Sequence, residues 1–265
     1  MKITHLSCFA TEISGSGNPA AVIEDFMGDD AAKQALATEL DLPVTVFIEP
    51  HNTQIRLRYF YPATEMSMCN HGTLAAAAVL LRDRAEQEIE FTNRENRSIR
   101  VKRAGDEYFQ EFGPAEVLPI RVNAAEIETL LNLPDKYIDH NLPCVVSSVG
   151  SPKLLVPVKT MADLGYLEPN FEAIKSWSLS HNVNGVYVYT LDGDECDFYA
   201  RAFNPKTGNN EDAATGVAAG PLLGAMGGNI TLRIGQGRWI GRPSVILASI
   251  YGGSISVGGR VEFAN

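Results

Sequence analysis

One long-period repeat constrains this chain more than any other feature. The segment from Arg58 to Leu81, RYFYPATEMSMCNHGTLAAAAVLL, aligns without a gap over Arg201 to Gly224, RAFNPKTGNNEDAATGVAAGPLLG. Arg58 then meets Arg201, Phe60 meets Phe203, Pro62 meets Pro205 and Thr64 meets Thr207, all at an offset of 143. Ala75, Ala76 and Leu80 likewise meet Ala218, Ala219 and Leu223. Upstream, Val44–Glu49 resembles Asn184–Tyr189 at an offset of 140, and Gly17-Asn18-Pro19 resembles Gly150-Ser151-Pro152 at 133. Three pairings in the same order point to two similar halves, each one supersecondary unit.

Each half reads alike. An apolar strand (Ile3 to Phe9, or Val145 to Val149) passes through a Gly-x-Pro turn into a second strand, Ala20 to Ile23 or Lys153 to Val158. Asp29 or Asp30 is placed to cap a helix running to Leu40, and Asn170 to cap one over Phe171 to Leu179. Strand pairs follow, Val44–Ile48 with Gln54–Phe60 and Val186–Thr190 with Asp197–Phe203, then an apolar alanine-rich helix, Gly72–Leu81 or Thr215–Ala225. A helix apolar on nearly every face belongs inside a domain. Later strands are expected at Glu88–Phe91, Ser98–Lys102 and Tyr108–Phe112, and at Ile230–Ile234, Val245–Tyr251 and Ser254–Val257. The expected fold class is α+β: two pseudo-symmetric domains, each a mostly antiparallel curved sheet or barrel around a central helix. The boundaries expected are 1–116 and 117–252, with a hinge near Gly113 to Pro119 and residues 253–265 available to complete the first domain.

The rest of the composition narrows the function. No apolar run approaches the roughly 18 to 20 residues of a bilayer span, and the first residues lack the apolar block of a signal peptide. A cytoplasmic protein is expected. The formal charge of -10, without a Lys/Arg run, opposes nucleic-acid binding. Cys8, Cys69, Cys144 and Cys196 form no CxxC pair, and the five histidines show no HExxH spacing, so no metal site is expected.

The informative places are the two starts of the alanine-rich helices, Met68 to Thr73 and Glu211 to Gly216. Free N–H groups and the positive dipole end make a helix start a natural anion site. The repeat sets Cys69 over Asp212. Two proton-transfer groups on opposite faces of a substrate are what racemases and proton-shift isomerases need. His71, two residues from Cys69, titrates near neutral pH. Each residue also has a plain structural reading: Cys69 and His71 as buried side chains, Asp212 as a helix cap.

With these motifs on the page, the chain resembles the PhzF-like family of phenazine-biosynthesis isomerases, built on the diaminopimelate epimerase fold. The resemblance rests on Gly17-Asn18-Pro19-Ala20-Ala21-Val22, Cys69 to Ala76, Glu211 to Gly216, and Gln236-Gly237 with Gly241-Arg242-Pro243-Ser244. It implies a cofactor-independent enzyme, usually a homodimer, that moves a proton on a small carboxylate. Carried over by position, it implies catalytic roles for His71 and Asp212, and substrate-binding roles for Gly72, Thr73, Thr215 and Gly216. Neighbouring Asn18, Asn70 and Ala214 join the candidate substrate site; Gln236 and Arg242 to Ser244 read as structural. One departure stands out. The family's glutamate, in a Ser-Glu-Thr-x-Phe segment, falls here on Val44 of Pro43-Val44-Thr45-Val46-Phe47. Asn70 also stands where the family commonly has glycine. Two readings follow: a proton transfer moved to Cys69 and Asp212, or a cleft that binds a small anion without the family reaction.

Overall fold

A computed structural model describes residues 1–193 and 195–264. Asn265, the last residue of the segment expected to complete the first domain, lies outside them. In chain order the first half carries β1 (Lys2–Cys8), β2 (Asn18–Glu24), α1 (Asp30–Leu40), β3 (Thr45–His51), β4 (Gln54–Phe60), β5 (Glu65–Met66), α2 (Asn70–Leu81), β6 (Glu88–Thr92), β7 (Ser98–Ala104) and β8 (Glu107–Phe112). The second carries β9 (Glu116–Val117), α3 (Ala124–Leu131), β10 (Val145–Ser148), β11 (Lys153–Pro157), α4 (Met161–Gly165), α5 (Phe171–His181), β12 (Val186–Thr190), β13 (Phe198–Asn204), β14 (Asn209–Asp212), α6 (Gly216–Met226), β15 (Ile230–Gln236), β16 (Ser244–Tyr251) and β17 (Ser254–Phe263).

Most pairings are antiparallel, and the few parallel ones recur in matching places. β2 pairs with β3 as β11 pairs with β12, and β4 with β6 as β13 with β15. Thr45 lies opposite Phe60, and Val186 opposite Phe203. That register sets Thr45 on Val186, one residue later than the ungapped reading at 140. Gly185 precedes that pair, with a φ of +89° and an approach to Phe203 O, 2.1 Å from where a Cβ would stand, that exclude any side chain. Val44 therefore corresponds to Gly185: their carbonyls accept from Ala21 N and Leu154 N, each at 3.1 Å.

α2 contacts β1–β4 and β6–β8, and α6 contacts β9–β11, β16 and β17, so each alanine-rich helix lies inside a layer of strands. In α2 every residue from Asn70 to Ala78 is buried, and in α6 every residue from Gly216 to Leu223. Small side chains let backbone and strands approach closely, while each of Leu74, Leu81, Leu222 and Leu223 contributes roughly 1.5–3 kcal/mol by leaving water. The two helices share one hydrophobic cluster. The C-terminal strand ties the halves together, pairing with β16 of the second half and with β1 and β8 of the first. Asp29 caps α1 by accepting from Ala32 N at 2.9 Å, and Asn170 caps α5 by accepting from Ala173 N at 3.1 Å. None of the helices among the described residues is long and apolar enough to cross a membrane.

Candidate active site

The starts of α2 and α6 meet, Asn70 against Gly216. A Cβ built on Gly216 would stand 1.8 Å from Asn70 Oδ1, so only glycine fits there. Asn70 turns its amide nitrogen to Gln110 Oε1 at 2.9 Å and leaves Oδ1 buried with no hydrogen-bond partner.

At the α2 start, Cys69 is the cap. Its Sγ accepts from Gly72 N at 3.4 Å and from the Tyr61 hydroxyl at 3.3 Å, and lies 3.4 Å from His71 Nδ1. Cys69 and His71 are 1% and 3% exposed. Burial opposes charging of His71, yet the neighbouring Cys69 and Asp212 outweigh it and raise its pKa above the usual imidazole range. Burial pushes the Tyr61 hydroxyl well above its ordinary range, with Cys69 and Asp212 adding to the effect, so Tyr61 keeps its proton and donates it. Thr73 faces inward instead: its hydroxyl donates to Cys69 O at 2.8 Å and meets Tyr59 Oη at 2.7 Å.

The α6 start differs. Thr215, not Asp212, occupies the position before the first helical residue, and Asp212 ends β14. Oδ1 of Asp212 accepts from Asn18 Nδ2 at 2.7 Å and Oδ2 from Thr215 Oγ1 at 2.6 Å. Asn18 also donates to Ala214 O at 2.8 Å. Gln236 locks the turn, accepting from Thr215 N at 3.1 Å and donating to Asp212 O at 2.7 Å. Gly237 has φ +77°, and a Cβ there would stand 2.2 Å from Arg242 O and 2.6 Å from Ala213 O. Gly17 N donates to Pro243 O at 3.1 Å. Three of the four motif segments, scattered over the chain, thus converge behind one carboxylate.

Asp212 and Thr215 line a cavity of about 30 Å³ together with Tyr61, Ser151, Lys153, Asn204 and Asn209, and with Met66 and Met68. Of the candidate residues, Asp212 and Thr215 reach this wall directly. Cys69 touches it through Tyr61, while Asn18 and Ala214 stand behind Asp212. Val44 is fully buried in the same hydrophobic cluster as Cys69. Tyr61, directly after β4, and Lys153, the first residue of β11, escape a reading of the sequence because each adjoins strand residues that look like ordinary core; the Gly-x-Pro-Lys of residues 150–153, matched with Gly17-Asn18-Pro19-Ala20, was the signal available for Lys153. Among the described residues no three His, Cys, Asp or Glu side chains gather as a metal site requires.

The profile of the phenazine biosynthesis-like family PhzC-PhzF matches residues 6–261. A Deinococcus radiodurans protein named as an uncharacterized isomerase is 32% identical over 258 residues, covering 89% of this chain and 82% of that one. A Pseudomonas aeruginosa protein named in the same way is 34% identical over 214 residues, 78% of this chain and 75% of its own. Among solved structures, a predicted epimerase from Pseudomonas aeruginosa superposes with a TM-score of 0.81 at 28% identity over 99% of this chain and 96% of that one. A PhzF-family protein from Enterococcus faecalis does so at 0.79 and 26%, with the same coverage. A hydroxyproline epimerase from Agrobacterium vitis, solved with trans-4-hydroxy-L-proline, shares the fold at a TM-score of 0.61 and 12% identity. The chain belongs to the phenazine biosynthesis-like family PhzC-PhzF and, with its named relatives, is an isomerase.

Proposed function

We propose that this isomerase moves a proton on a small carboxylate substrate without a cofactor, with Asp212 serving one face of the reacting carbon and the Cys69–His71 pair the other. The observation that carries the reading is the asymmetry of the cavity wall. A carboxylate held by Asn18 and Thr215 and the hydroxyl of Tyr61, backed by Cys69 and His71, line the same cavity as two chemically unlike groups. Asp212 accepts the proton as the C–H bond breaks, and the electron pair moves into the substrate carboxylate as an enolate. Tyr61, kept protonated by burial, is placed to donate to that charge as it develops, in a site where preorganised donors act most strongly. For an epimerisation Asp212 keeps that proton and a second one reaches the opposite face from the Tyr61 hydroxyl, resupplied by Cys69 and His71 behind it; for a proton shift Asp212 returns its proton at a neighbouring carbon. Nothing is oxidised or reduced. Asn18 also supports this role: from the Gly-x-Pro turn of the first half it donates to Asp212 and to Ala214 O at the start of α6.

The cavity holds a water or two, so substrate entry requires its wall to widen; Met66 and Met68, flexible and unbranched, form the part of the wall able to give. The test is solvent deuterium incorporation, followed by NMR across a panel of amino acids and cyclic carboxylates. Incorporation at a carbon beside a carboxylate is the expected result. Val44, fully buried among apolar side chains, favours the second reading, an anion-binding protein without turnover; tight binding with no deuterium uptake by any member of the panel would establish that reading instead.

A further inference from the structure

Four lysine or arginine side chains are buried among the described residues, and three have carboxylate partners. Lys33 pairs with Glu49, Arg58 with Glu65, and Arg201 with Glu211 at 2.7 Å. Lys153, 5% exposed, has none. Its Nζ donates to the backbone carbonyl of Asn184, one bond for a group with three N–H donors. The side chain lines the same cavity as Asp212, whose other polar lining includes Ser151 and the unpartnered Oδ1 of Asn204. A buried ammonium without a counter-ion costs free energy unless something charged comes to it.

Three of the four backbone amides that a reading of the sequence assigned to anion binding already have partners. Gly72 N donates to Cys69 Sγ, Thr73 N to Cys69 O and Thr215 N to Gln236 Oε1. The cation with donors to spare is Lys153.

We propose that Lys153 is the substrate's carboxylate anchor: its ammonium takes the carboxylate of a small anion in the cavity it lines together with Asp212, leaving the adjacent carbon to Asp212. This deepens the proton-transfer reading and rests on it only for the second half of that statement. Like charges keep the substrate carboxylate away from Asp212, so the two anions straddle the reacting carbon and fix its direction.

Burial holds Lys153 down at about 8, against the pull of Asp212 and Cys69 and with the repulsion of Lys206. These are the charged groups facing it, from β14, from the α2 start and from the turn over residues 205–207; the Tyr61 hydroxyl on the same wall stays protonated. Anion binding should therefore weaken as pH rises through about 8.

The experiment is calorimetric titration of the full chain with acetate and with malonate at pH 7 and pH 9.5, on wild type, K153M and K153R. Wild type should bind saturably at pH 7. K153M should bind roughly 10- to 100-fold more weakly, the equivalent of one lost charged hydrogen bond. K153R should stay near wild type at pH 7 and lose the weakening at pH 9.5, because guanidinium does not deprotonate. Equal affinity in wild type and K153M, or no saturable binding by wild type, overturns the proposal. If K153M does not fold by circular dichroism, the wild-type pH comparison decides, and a flat profile overturns it. Binding is read without turnover, so a protein that binds through Lys153 yet incorporates no deuterium sinks the reaction while leaving the anchor standing.

Discussion

The starts of α2 and α6 occupy matching places in the two halves and carry opposite designs. At α2 the sequence passes from Cys69 straight into helix at Asn70. The thiol is consumed as a cap, walled in by Tyr61 and His71. At α6 the first helical residue, Gly216, comes four positions after Asp212, and the intervening turn is pinned by Gln236. That delay frees the Asp212 side chain from capping and turns it to the cavity, where Asn18 and Thr215 hold it. One scaffold position thus carries a buried, capping thiol on one side and a cavity-lining carboxylate on the other. The difference teaches that a matched pair of positions need not mean a matched pair of chemical roles.

The sharpest way to break this comparison is to remove the direct group. Asp212→Asn keeps the hydrogen-bonding shape but not the base, and should slow deuterium incorporation by about 100- to 10,000-fold. Unchanged incorporation would transfer the whole reaction to the α2 side. Cys69→Ala tests the relayed group and should slow exchange by orders of magnitude, within the same range and toward its lower end, because Tyr61 and His71 remain in place. A loss as large as that of Asp212→Asn would show that Cys69 acts directly on substrate.

Much of this site was legible beforehand, for a physical reason. Asn18, Cys69, His71, Asp212 and Thr215 sit in turns and helix starts, where Gly, Pro, Asn and Asp announce local geometry. Lys153 and Tyr61 were not legible. The placement of Lys153 beside a cavity depends on β11 lying parallel to β12, which brings the carbonyl of Asn184 under its ammonium from 31 residues away. β14 also escaped notice, since Asn209 to Asp212 has no apolar alternation and becomes a strand only by pairing with β13. α3 was missed although its signal was present: Asn123 and Glu126 form a reciprocal capping box, an Asn-x-x-Glu pattern readable in the chain. Apart from β5, β9 and β14, the strands of both halves are legible because apolar residues alternate or run together between turn residues.

The contact between the two helix starts is open to a stability test. Gly216→Ala forces a methyl against Asn70 Oδ1 and should destabilise the fold by about 1–3 kcal/mol, as overpacking does. For a chain of this length that lowers Tm by roughly 2–4 °C per kcal/mol. Gly216→Ala combined with Asn70→Gly should recover most of the loss, since the obstructing amide is then gone. A double variant as unstable as the single one would mean that Gly216 is needed for some other reason.

The smallest effect concerns the arginines behind the two halves. Arg201 meets Glu211 in a two-pronged pair, with hydrogen bonds of 2.8 and 2.7 Å, and both side chains are about one-tenth exposed. Its counterpart Arg58 bonds Glu65 and reaches in addition to Asp30, an exposed residue on α1, at 2.8 Å. The Arg58 guanidinium, offset in part by burial and helped by Lys33, draws Asp30 down from 3.8 to about 2. A carboxylate depressed on folding contributes stability above its unfolded pKa and loses it as pH falls toward the folded one. The contribution is thus present in full above about 4 and fades between 3.8 and 2. Because Asp30 is exposed, salt and solvent screen the pair. Asp30→Asn should therefore narrow, slightly, the fall in urea midpoint between pH 5 and pH 3, and high salt should erase the difference. An Asp30→Asn protein that loses as much stability over that interval as wild type would show that Asp30 adds nothing to what the buried Glu65 gives Arg58.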